Sequence, residues 1–161
     1  MLVRDVMQVR PVAVTVNTRL LEVMRLLQPR GYRHLPVLED GKLIGIISDR
    51  DVKQSMASAA LAGDGRARER LIEELTAGQI MTRRVVTIGP TSGVEEAARL
   101  MATNKIGALP VTDGDRLIGI VTETDVLQLF VLALGVLEPS SRIDVTVRDL
   151  RKDQDSLLAY A

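Results

Sequence analysis

The segment Gly45-Ile-Ile-Ser-Asp-Arg-Asp-Val52 is written again 74 residues later as Gly119-Ile-Val-Thr-Glu-Thr-Asp-Val126. Shifting the 161-residue chain by 74 aligns residues 2–52 with 76–126 without a gap, and 15 of those 51 pairs are identical. Met7 falls on Met81, Leu35-Pro36-Val37 on Leu109-Pro110-Val111, Gly45 on Gly119 and Asp51 on Asp125. The identities cluster and keep one register, which marks an internal duplication, and a duplication governs every later reading of a chain. Neither copy has enough elements to bury its own sheet face, so two copies must cover each other.

Each copy reads as β-α-β-β-α. Val12–Val16 and Val85–Ile88 are short and β-branched, hence entry strands. Leu20, Val23, Met24 and Leu27, then Val94, Ala97, Ala98 and Met101, recur at helical spacing. Thr18 and Ser92 are expected to cap those helices, and Pro29 to end the first. Two apolar runs joined by an Asp-Gly turn follow, which is a hairpin, and the aspartate of the repeated motif opens a second helix. The expected class is α/β of the α+β kind. Residues 1–60 hold the first repeat, 61–75 a helical connector, 76–135 the second repeat and 136–161 a tail.

Composition excludes several functions. Lys plus Arg equals Asp plus Glu at 21 each, so the basic excess that nucleic acid or an anionic membrane demands is missing. There is no cysteine, hence no thiolate metal site, disulfide or cysteine nucleophile. The only histidine, His34, makes neither a metal site nor a triad by itself. The start of the chain lacks the pattern of a signal peptide, and the apolar run from Val126 to Leu137 is too short to cross a bilayer, which takes about 20 residues. A cytoplasmic protein is expected. Phosphate-loop, dinucleotide-binding and nucleophile-elbow motifs are absent, so no enzyme is expected.

The order of elements, the paired Leu-Pro-Val strands and the motifs Gly-Ile-Ile-Ser-x-x-Asp and Gly-Ile-Val-Thr-x-x-Asp resemble the CBS domain, and two in tandem resemble a CBS pair, or Bateman module. The phrases Ser48-Asp-Arg-Asp-Val52 and Thr122-Glu-Thr-Asp-Val126 are similar to those of stand-alone bacterial CBS proteins of the acetoin-utilisation type. Arg142–Asp149 resembles the first strand of an ACT domain. The resemblance implies two repeats about a pseudo-twofold axis, a homodimer formed through the CBS helices, an unknown effector protein, and an adenosyl ligand, with AMP, ADP, ATP or S-adenosylmethionine as candidates and no required cofactor. It implies that Ser48 and Thr122 bond a phosphate or ribose oxygen and that Asp51 and Asp125 accept the ribose hydroxyls. Val12, Thr15 and Val86 of the entry strands, with Tyr32, Arg33 and His34 in one copy and Ile106, Gly107 and Ala108 in the other, would wall the adenine.

Physical chemistry stands beside the resemblance. A carboxylate can accept from both hydroxyls of a diol, and a helix N-terminus suits a phosphate. Gly45 and Gly119 lie inside strands, where glycine costs stability unless something approaches the backbone closely. Ser-x-x-Asp is also a capping box, which needs no ligand. Arg50 and Arg33 stand in the first copy where the second has Thr124 and Gly107, so the first cleft is expected to hold phosphate better. The other readings are a structural dimerisation module with vestigial clefts and an enzyme using those clefts.

Overall fold

A computed structural model describes residues 1–27, 32–61 and 64–135. In chain order the elements are α1 (Val3–Val6), β1 (Gln8–Val9), β2 (Val14–Thr15), α2 (Leu20–Leu27), β3 (His34–Glu39), β4 (Lys42–Ser48), α3 (Asp49–Ala60), α4 (Gly65–Glu74), α5 (Ala77–Ile80), α6 (Val94–Asn104), β5 (Ala108–Asp113), β6 (Arg116–Thr122) and α7 (Glu123–Ala133). The class is α+β, and after its entry segment each copy has the expected order of helix, two strands and helix. Pro29 and the ACT-like segment lie outside the described residues.

The chain forms two compact units, and they do not follow the repeat boundaries. One comprises Arg10–Val85 with Gly114–Leu117; the other comprises Met1–Val9, Val86–Asp113 and the chain from Ile118. Thus α5, the head of the second copy, belongs to the unit of the first, and α1, the head of the first copy, to the unit of the second.

In the first of these units β2 runs parallel to β3, with Val14 opposite Val37, and β3 pairs antiparallel with β4 from His34↔Ser48 to Glu39↔Lys42. The turn between them places Asp40 and Gly41 at φ of 49° and 77°. Two positive φ angles make a type I′ turn, whose twist matches that of the strands. The register slips between Val37 and Leu38, leaving Ile44 as a bulge. Leu20, Val23 and Leu27 of α2 share a face and are buried with Leu35, Val37 and Ile47 of the sheet and Val52 of α3.

The α4–α5 segment is strapped onto this unit by backbone bonds. Leu20 N–H donates to Leu75 O at 2.9 Å, Ala77 N–H to Thr18 O at 2.8 Å and Gly78 N–H to Val16 O at 2.9 Å. Ile46 and Thr82 exchange two bonds of 3.0 and 2.9 Å. Gly45 sits beneath Met81, and a Cβ there would run into the methionine sulfur.

The other unit repeats the plan. β1 pairs antiparallel with β6, Gln8 opposite Ile120 and Val9 opposite Gly119. A Cβ on Gly119 would run into the Met7 sulfur. Both strand glycines therefore make room for a methionine of the exchanged head segment, and packing rather than ligand approach accounts for them. Val3, Leu109, Val111 and Val121 are the fully buried centre of this core.

Three local expectations need correction. The entry strands are shorter than read: Val14–Thr15 pairs in the first copy, and a single parallel bridge, Ile88 to Val111, stands in the second. Thr18 does not cap α2, because its hydroxyl oxygen accepts the Thr15 N–H at 3.0 Å in the preceding turn. Ser92 does not cap α6 either; Gly93 occupies that position without a side-chain bond, while the Ser92 carbonyl accepts from Val3 N–H at 2.8 Å.

Candidate functional site

Ser48 and Thr122 end their strands in extended backbone and cap the helices that follow. In the first motif, Asp51 Oδ2 accepts from Ser48 N–H at 2.7 Å and from Ser48 Oγ at 2.6 Å, while Asp51 N–H donates to Ser48 Oγ at 3.3 Å. The second motif is its copy: Asp125 Oδ2 accepts from Thr122 N–H at 2.8 Å and Thr122 Oγ1 at 2.7 Å, and Asp125 N–H donates to Thr122 Oγ1 at 3.4 Å. Both are capping boxes. They hold each carboxylate in one orientation through one of its oxygens. Asp51 Oδ1 has no hydrogen-bond partner among the described residues.

The first N–H of each helix is already taken by a backbone carbonyl from ahead of the preceding hairpin. Asp49 N–H donates to Arg33 O at 3.1 Å, and Glu123 N–H to Gly107 O at 3.0 Å. Free N–H groups awaiting a phosphate, the physical case made from the sequence, are thus reduced at both helices. The Asp49 carboxylate is itself held below its ordinary range. Partial burial pushes it up, but the Lys53 ammonium at 3.3 Å, the Arg50 N–H and the nearby His34 together outweigh that.

α3 faces two pockets from different sides. Asp49, Val52 and Lys53 line one of about 320 Å³, with Met24 and Leu27 of α2 and with Tyr32 and Arg33 completing it. Asp51, Gln54, Ser55 and Ser58, spaced i, i+3, i+4, i+7, line another of about 370 Å³. Its opposite wall is Leu71 of α4 and Leu75 just after that helix, and Gln79 and Ile80 of α5 close it. Both pockets lie within the unit built on the first copy.

The residues expected to act together are divided by this arrangement. Ser48 and Asp51 meet, as do Thr122 and Asp125. Arg33 lines the pocket on the other side of α3 from Asp51, and Arg50 is exposed and lines neither. His34 lies opposite Ser48 in the β3–β4 register. Thr15 Oγ1 lies 3.3 Å from Thr18 Oγ1. Val12 packs against the first core, Val86 and Ile106 against the second, and Ala108 is buried. The sequence reading missed Gln54, Ser58, Leu71, Leu75 and Gln79. The helical spacing of Asp51, Gln54, Ser55 and Ser58 was legible, but nothing local indicated that α4 lies across that stripe.

The sequence pattern of the CBS domain matches residues 3–58 and 77–132. A CBS domain-containing protein of Dictyostelium discoideum is 35% identical over 142 residues, covering 87% of this chain and 98% of that one. Protein MJ1225 of Methanocaldococcus jannaschii is 37% identical over 123 residues, and there the match spans 74% of this chain but only 43% of the relative. Among solved structures, the CBS domain pair of protein MJ0100, in complex with 5′-methylthioadenosine and S-adenosyl-L-methionine, superposes with TM-score 0.69 at 30% identity, covering 81% of this chain and 95% of that one. CBSX2 in complex with AMP gives TM-score 0.67 at 28% identity, with 81% and 96% covered. A Vibrio cholerae protein assigned to acetoin utilization (AcuB) gives 0.70 at 29%, with 86% and 98% covered. The duplicated motif, the β-α-β-β-α order and the match across both copies lead to one conclusion: this chain belongs to the CBS domain family, as a tandem pair.

Proposed function

We propose that the chain is a regulatory sensor that binds an adenosyl compound, with Asp51 and Asp125 accepting the ribose hydroxyls. One observation carries the reading. The Asp51 carboxylate is pinned by its own turn, keeps Oδ1 unpartnered among the described residues, and lines a pocket of about 370 Å³. An acceptor held in place before the ligand arrives loses little freedom on binding. The adenosyl ligands in the solved structures of MJ0100 and CBSX2 support the chemical class. No chemistry on the ligand is proposed. Relatives with enzyme names, such as the L-aspartate semialdehyde sulfurtransferase of M. jannaschii, match this chain over only 23% of their length. Among the described residues no helix is long and apolar enough to cross a membrane, and the protein is proposed to act in the cytoplasm on an effector protein.

The test is thermal unfolding with adenosine, AMP, ADP, ATP and S-adenosylmethionine, on the wild type and on Asp51→Ala with Asp125→Ala. Ligand at 100 times its dissociation constant stabilises by about 2.7 kcal/mol. That gain should vanish in the double variant. A gain that survives both substitutions removes the ribose assignment. No gain with any compound favours a structural dimerisation module instead.

A further inference from the structure

The two pockets beside α3 sort the charges of this region. Arg33 and Lys53 line the pocket away from Asp51, and Lys53 is paired there with Asp49 at 3.3 Å. Arg50, one residue before Asp51, is exposed and lines neither pocket. Arg19 and Arg83 lie near the α4–α5 segment, do not line the pocket, and donate to backbone carbonyls. Arg19 Nη1 donates to Glu74 O at 2.8 Å and Arg83 Nη2 to Gly78 O at 3.3 Å. Among the described residues, the wall around Asp51 has one carboxylate, the neutral groups of Gln54, Ser55, Ser58 and Gln79, apolar surface from Leu71, Leu75 and Ile80, and no Lys or Arg.

We propose that the Asp51 pocket selects an adenosyl compound without a phosphate, neutral or cationic at its 5′ side, and discriminates against nucleotides. This rests on the reading that Asp51 binds ribose. A phosphate entering the pocket would surrender hydration without a charge-assisted partner and would face the Asp51 carboxylate. A sulfonium or ammonium would be attracted by the same carboxylate, and a thioether would rest on Leu71 and Leu75. The selectivity concerns the first copy, where Leu71, Leu75, Gln79 and Ile80 supply the wall facing Asp51.

Titration calorimetry on the full chain tests this with adenosine, 5′-methylthioadenosine, S-adenosylmethionine, AMP and ATP. The first three should bind at least about tenfold more tightly than AMP, a gap of about 1.4 kcal/mol, in an event that Asp51→Ala abolishes. Gln54→Lys, which adds a cation to the wall, should narrow that gap by about tenfold, as one new charge-assisted contact would, while the unfolding midpoint shows that the fold is intact. AMP or ATP binding as tightly as adenosine through an Asp51-dependent event overturns the selectivity and leaves the ribose reading standing. A gap that Gln54→Lys leaves unchanged overturns the placement in this pocket. If no compound gives an Asp51-dependent event, the ribose reading fails and this inference fails with it.

Discussion

Two glycines show how a single residue couples distant parts of the sequence. Gly45 and Gly119 occupy equivalent strand positions, and each lies under a methionine from the head of the other copy. Gly45→Ala should destabilise the fold by about 1–3 kcal/mol, the usual range for overpacking a filled core. Met81→Ala in the same chain should relieve part of that, so the double variant should be less destabilised than the sum of the singles in urea titrations. Asp49 gives a second prediction. Its folded-state pKa is lowered, the upward push of partial burial being outweighed by Lys53, the Arg50 N–H and His34. A lowered folded pKa contributes stability that is present above the unfolded value and lost as pH falls through the folded one. The wild type should therefore exceed Asp49→Asn slightly at neutral pH and lose that margin below about pH 4, where a carboxylate protonates. Asp49 is about half exposed, its side chain 46% accessible, so the margin should be small. Urea midpoints of both proteins between neutral and acid pH measure it.

At the scale of elements, the capping boxes at α3 and α7 do two things at once. They start each helix and they orient a carboxylate. Ser48→Ala removes the hydroxyl from both bonds to Asp51 and should cost about 1 kcal/mol of stability, the typical value of a cap. It should also weaken adenosyl binding by freeing the Asp51 side chain, which calorimetry on the folded variant would separate from the stability loss. α7 carries a different signal. Leu129 and Leu132 are buried, whereas Leu127 and Phe130 stay 61% and 63% exposed, with Leu134 on the same side. An apolar helix stripe left open in this way marks an interaction surface. The protein should sediment as a homodimer at micromolar concentration, and Phe130→Glu should shift it to a monomer with its circular dichroism unchanged.

For the whole molecule, the exchange of head segments is the organising feature. A unit made of residues 10–85 has its α4–α5 strap and the Met81 that fills the space over Gly45. Residues 1–75, one copy with its connector, lack α5 and Met81. The fragment 10–85 should therefore show a cooperative thermal transition at a higher temperature than 1–75; equal midpoints would mean that α5 contributes nothing to that core. The exchange also explains why neither copy need be stable alone, since each core is completed by the head segment of the other copy.

What the sequence determined by itself was everything carried by local pattern and by repetition. The duplication named the two copies, helical spacing placed α2 and α6, apolar runs on either side of a turn placed β3 and β4, and Asp40-Gly41 wrote the hairpin turn because only residues tolerant of positive φ serve there. Ser48-x-x-Asp51 and Thr122-x-x-Asp125 were legible as caps for the same local reason. Tertiary structure decided the rest. A cap at Thr18 or Ser92 depended on where neighbouring carbonyls and hydroxyls found partners, and Ser92 spends its carbonyl on Val3, far back in the chain. The need for glycine at 45 and 119 came from methionines outside the strand. Arg33 and Arg50 were expected beside Asp51, yet helix geometry turns Arg50, one position away, to a different face, and Arg33, just ahead of β3, lines the pocket on the other side of α3. A strand reverses sides at every residue and a helix turns by about 100° at each, so adjacency in the chain places charges apart as readily as together, and only the packing of α4 and α5 against α3 settles which of them share a pocket with Asp51.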